Sequence, residues 1–324
     1  MLSTNINTNQ NDIKMIVDSL NKKSKSTFKY HQKDLIKQAS YFSPLYRDFI
    51  NKIINSNHLK ITHTYDGGYI TPDEQMIETE KLRKKQKNRI VTDITEVDTL
   101  PHELGHAVDF WFGQRQALTS SVILSSGKTL QEIFDEEFEL NYQQIYQEMM
   151  DEYKLIINSN INDQAFDILL KYVPLYNELE YAKTLKKRRK IHEELYKSGF
   201  VEVYYQLYNR NCYKMLNHKY CPVLDALSSK YNFDGLFLNH HELFYYKINE
   251  KRPVQEFFAN CFGAKVTPTV FQIDNVIKYL PESYKAFEEL FSIFYNHFQN
   301  NKRFTDLTIK RREIVDYKGD EDEL

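Results

Sequence analysis

Cysteine is scarce in this chain: Cys212, Cys221 and Cys261 are the only three in 324 residues. An odd, widely spaced set excludes a disulfide framework and offers no paired-cysteine zinc knuckle. Small buried hydrophobes in a reducing, cytoplasmic setting are the expected roles. Glycine and proline are also few, at 9 and 8, which leaves little material for turns and points to helix. No run of about 18 apolar residues occurs, so no membrane span is expected. The polar stretch Met1–Asp12 lacks the apolar segment of a secretory signal. Neither sign of charge prevails, with 43 Lys and Arg against 45 Asp and Glu and a net charge of −2. Nucleic acid and anionic membrane are therefore not expected partners. What the chain does have is hydrophobic content of 41% and, against a single Trp, 24 Tyr and 21 Phe. That predicts a large core built heavily from aromatic rings.

Residues 1–25 read as frayed or weakly helical, and 27–56 as two helices broken near Ser43-Pro44. Lys60 to Tyr65 alternates like a strand, Asp66-Gly67-Gly68 signals a turn, and Tyr69 to Thr71 with Gln75 to Thr79 can continue a sheet. The Gln75–Thr79 segment could also offer an edge to an extended substrate. From about 130 to 216 the apolar residues Phe134, Phe138, Ile145 and Met149 recur at helical spacing. Asn158 to Asn162 and Pro174 are expected to divide that stretch into several helices. The basic runs Lys81–Arg89 and Leu185–Lys190 are flanked by acids and read as solvated faces. The acidic residues Asp320 to Glu323 read as a disordered tail.

Chemistry concentrates in Pro101-His102-Glu103-Leu104-Gly105-His106. Histidines four apart on a helix project from one face and can reach a single Zn²⁺. The intervening Glu103 then sits where it can take a proton from a metal-held water. Asp98 or Thr99 can cap this helix, and Ala107, Val108, Phe110, Trp111 and Phe112 carry it into a core.

A catalytic zinc needs a third protein ligand and an open position. Asp109 lies on the same helix, where a role beside a ligand histidine suits it better than direct coordination. The stronger candidate is Glu256, in Pro253-Val254-Gln255-Glu256-Phe257-Phe258-Ala259-Asn260. An acid among phenylalanines needs a reason to be buried. Asn260, one turn on, shares its face and could orient a histidine. Tyr246, Tyr245 and His241, just upstream, are candidates to stabilise an oxyanion, with Tyr246 preferred.

These two blocks resemble the zincin metallopeptidases with a glutamate third ligand. The likeness is to zincin-like domains of phages and mobile elements and, more distantly, to the anthrax lethal factor-like peptidases. His241, Tyr245-Tyr246-Lys247, Lys251-Arg252 and Glu256-Phe257-Phe258-Ala259-Asn260 follow the order of the phage group. The likeness covers about 60–112 and 220–265. It implies an α+β, mainly helical fold: a zincin-like core with a small β-sheet before the metal helix and a large helical insertion. The implied division is an N-terminal helical region 1–59, a metallopeptidase domain 60–300 with its insertion at about 120–220, and a tail 301–324. It further implies one Zn²⁺ per chain held by His102, His106 and Glu256, with Glu103 as general base and a protein or peptide substrate. The alternative is a non-catalytic module of the same fold, serving a phage particle or a toxin system.

Overall fold

The computed structural model describes residues 2–24, 28, 30–55, 59–63, 68–70, 88–92, 98–112, 117–158, 163–182, 184–209, 220, 222–231, 246, 251–270 and 273–299. The chain forms two compact units. One comprises Met1–Glu136 with Glu282–Leu324, and the other Glu137–Pro281.

The first unit opens with α1 (Leu2–Ser24), α2 (Gln32–Tyr41), a single 3-10 turn at Pro44–Tyr46, and α3 (Arg47–Asn55). The N-terminal stretch is thus a full helix rather than a frayed one. Ile16, Val17 and Leu20 anchor it: all three are buried, and α1 lies against α2 and α3. The break at Ser43-Pro44 is where the sequence puts it. Arg47 is buried there, and its Nε donates to the Phe42 carbonyl at 3.0 Å, tying α3 back to the end of α2. Near the other end of the unit, α12 (Pro281–Gln299) sets its rings against α3. Phe49 meets Phe291 and Tyr295 edge-on at 5.8 and 5.6 Å, the geometry that ring quadrupoles favour.

Three strand segments of five, three and five residues follow α3: β1 (Leu59–His63), β2 (Gly68–Ile70) and β3 (Asn88–Thr92). β3 is central, parallel to β1 and antiparallel to β2, with Ile61 opposite Ile90 and Tyr69 opposite the same residue. The metal-motif helix α4 (Thr99–Phe112) lies against β2 and β3. After it come the short α5 (Leu118–Ser121) and the start of α6 (Leu130–Asn158). A reciprocal cap starts α6: the Glu132 amide donates to Thr129 Oγ1 at 3.2 Å, and the Thr129 amide donates to the Glu132 carboxylate at 2.9 Å.

The second unit holds the rest of α6, then α7 (Asp163–Tyr181), α8 (Leu185–Lys197) and α9 (Phe200–Asn209). A helical stretch over 222–228, α10 (Arg252–Val266) and α11 (Asp274–Tyr279) complete it. α6 is described to Asn158 and α7 from Asp163, and the expected break at Asn158 to Asn162 falls largely outside the described residues. Pro174, however, sits inside α7 and does not end it. Leu169 and Val173, one turn apart just before the proline, are buried, so packing outweighs the lost backbone hydrogen bond. Gly199, at φ 78°, supplies the left-handed residue that lets the chain turn directly from α8 into α9.

The α+β class does not hold. Helix makes up 84% of the described residues, and among them the short strand segments above do not amount to the β layer that a zincin-like core implies. The class is mainly helical. The physical reason is in the composition: with so few glycines and prolines, and apolar residues repeating at three- and four-residue steps, helices bury most of the apolar surface. Gln75–Thr79, the expected edge strand, lies outside the described residues. Of the basic run Lys81–Arg89, residues 81–87 lie outside the described residues, and Asn88 and Arg89 begin β3. Among the described residues no helix is long and apolar enough to cross a membrane.

Candidate metal centre

Helix α4 follows from its sequence. Its start is at Thr99, with the His102 amide donating to the Asp98 carbonyl at 3.2 Å, and Pro101 stands in the first turn where no N–H is needed. Leu100, Leu104, Ala107 and Val108 recur at helical spacing and are all buried, so they fix which way the helix faces. That leaves His102 and His106 on a half-buried face, one turn apart, and Glu103 beside them at 5% exposure.

The two imidazoles are arranged edge to face, with ring centroids 4.7 Å apart, an interplanar angle of 83° and Nε2 atoms 3.1 Å apart. Two ligand nitrogens on one tetrahedral ion, at metal–nitrogen lengths of about 2.0–2.1 Å, stand about 3.3 Å apart. The observed spacing therefore suits a shared cation with little adjustment.

Helix α10 brings the acid. Val254, Phe257, Phe258, Ala259, Cys261, Phe262, Ala264 and Val266 are all buried, so apolar side chains surround nearly the whole helix. A helix apolar on every side is embedded, and Glu256 and Asn260 go with it, each at 1% exposure. One ligand atom each from His102, His106 and Glu256 lies within 4.8 Å of the others, a group that could hold a metal ion.

The remaining predicted residues fall in different places. Asp109 is buried, and its two carboxylate oxygens accept from the Thr119 amide at 2.9 Å and the Thr119 hydroxyl at 3.2 Å. It thereby pins the start of α5 to the motif helix. Burial pushes its carboxyl up to about 6. The Thr119 hydrogen bonds, the positive field of His106 and the Leu118 amide partly offset that. Asn260 Nδ2 donates to Asp225 Oδ2 at 2.8 Å. The Tyr246 hydroxyl, itself buried, donates to Asp225 Oδ1 at 3.2 Å. His241 and Tyr245 lie outside the described residues.

Asp225 is the polar residue that sequence reasoning missed. A signal was present: an aspartate within Val223-Leu224-Asp225-Ala226-Leu227 interrupts an apolar run, as Glu256 does. Its 4% exposure shows that it is indeed buried there.

No protein-family model, curated protein or solved structure matches this chain.

Proposed function

We propose that this chain is a zinc-dependent metallopeptidase, with His102, His106 and Glu256 as ligands to one Zn²⁺ and Glu103 as general base. The observation that carries the reading is the assembly of two imidazoles and one carboxylate within 4.8 Å of one another. That donor set is one of those used by catalytic zinc, and it leaves a position open. When bound, zinc supplies Lewis acidity and lowers the pKa of a water to about 7.

The chain's own residues do the rest. Glu103, one residue after the first histidine, takes a proton from the attacking water and hands it to the departing amide nitrogen. Its burial keeps that proton from exchanging freely with bulk solvent. The peptide carbonyl carbon gains the water oxygen, the C–N bond breaks, and a carboxylate and an amine leave. Tyr246 enters as a brace through its hydrogen bond to Asp225, and His241 and Tyr245 are the proposed donors to the oxyanion.

The test compares wild type with Glu103→Gln on a broad peptide library, alongside metal analysis of both. Each should retain one zinc, and the variant should lose at least about 10²-fold in rate, the usual contribution of a general base. Hydrolysis by Glu103→Gln at the wild-type rate would remove Glu103 from the mechanism. A zinc-loaded wild type that cleaves nothing would favour a non-catalytic module.

A further inference from the structure

The helical stretch over 222–228 places Asp225 between Leu224 and Ala226, in a run where every residue is buried. A carboxylate at that depth costs several kcal/mol unless donors meet it. Here each oxygen has one: Tyr246 at Oδ1 and Asn260 at Oδ2. Asn260 stands one turn after Glu256 on α10 and shares its face. The remaining side chains of that turn are Phe257, Phe258 and Ala259. Apolar contacts are non-directional, whereas the Asn260–Asp225 hydrogen bond is directional and resists rotation of α10 about its own axis.

The lever is sensitive. A carboxylate about 5–6 Å from a helix axis moves by about 1 Å when the helix turns by about 10°. Metal–ligand distances tolerate only about 0.2 Å.

We propose that Asp225 is a positioning residue for the metal ligand Glu256. It acts through Asn260, and Tyr246 holds its second oxygen. The inference rests on the reading of His102, His106 and Glu256 as a metal site.

Zinc affinity of the full-length protein, measured by competition with a chromogenic chelator, tests it, with circular dichroism to establish that each variant is folded. Asp225→Ala and Asn260→Ala should each weaken zinc binding about 10- to 100-fold, the range for residues that orient ligands. The double variant should be no weaker than the worse single one, because both remove the same link. Tyr246→Phe should cost less than either. Should Asp225→Ala not fold, Asp225→Leu serves in its place: it keeps the volume in this apolar run but offers no acceptor to Asn260, and it should also lower affinity.

Folded Asp225→Ala or Asp225→Leu binding zinc within twofold of wild type would overturn the inference. So would a double variant whose loss is the product of the two single losses. His102→Ala is the control. If it leaves zinc binding unchanged, the metal site itself falls, and this inference with it.

Discussion

Asp109→Asn tests whether the motif helix carries a buried charge at neutral pH. In the native protein the Asp109 carboxyl is pushed up to about 6, chiefly by burial, whereas in the unfolded chain it returns to about 3.9. A raised folded value means that the native state holds the proton more tightly. The stabilising, protonated form is therefore fully present below about pH 4, and the stability it brings is lost as pH climbs through 6. The gap corresponds to about 3 kcal/mol. An asparagine is neutral throughout. Its oxygen can still accept from the Thr119 amide, and its N–H₂ can donate to the Thr119 hydroxyl, at a loss of about 1 kcal/mol against the carboxylate.

The variant should therefore be more stable than wild type by about 1–2 kcal/mol at pH 7 and slightly less stable at pH 4. Urea unfolding of the metal-free protein from pH 4 to 8 reads this directly. Trp111, the one tryptophan, sits on the same helix as Asp109 and reports its unfolding by fluorescence. Taking wild type minus variant cancels every other titrating group. A difference that stays flat from pH 4 to 7, or a variant weaker than wild type at neutral pH, would refute the reasoning.

Local signals in the sequence carried most of the candidate site. Histidines at helical spacing and a glutamate between them act within α4, and short-range geometry alone places His102, Glu103 and His106. Glu256 was legible for a different reason: a lone acid among phenylalanines carries a burial cost that needs a function. Asp225, flanked by Val223, Leu224, Ala226 and Leu227, carries the same burial cost. The partner of Asn260 was not legible, because a face shared with Glu256 says that the two residues are neighbours and not what lies opposite them. Asp109 illustrates the same limit, since Thr119 lies beyond the end of its helix and claims both oxygens. The fold class misled because alternation over five or six residues marks extended chain without showing how much sheet it joins. Pro174 and α1 erred the other way, each having its local preference overridden by buried neighbours.

Other perturbations have calculable outcomes. Thr129→Ala removes the reciprocal cap of α6 and should cost about 1 kcal/mol, read as a lower urea midpoint. Lys278→Ala removes the hydrogen bond, 2.5 Å long, that chiefly holds the Glu148 carboxyl down near 2. A depressed carboxyl contributes stability above about pH 4 that disappears as pH falls through 2. The pair is 55% and 37% exposed, so solvent screening should keep the loss at pH 7 below about 1 kcal/mol and reduce it further in 1 M salt. Phe258→Ala should be far more damaging. Phe258 is fully buried on α10 and stacks on Phe262 with ring centroids 6.4 Å apart, and deleting a core ring typically costs about 3–5 kcal/mol. Because the same helix carries Glu256 and Asn260, the cavity should also loosen the carboxylate. Zinc affinity ought to fall in the Phe258→Ala protein even at temperatures where it remains folded. Phe258→Leu, which refills most of the volume, should recover both stability and affinity. Recovery of stability without recovery of affinity would show that packing on α10 does not set the position of Glu256.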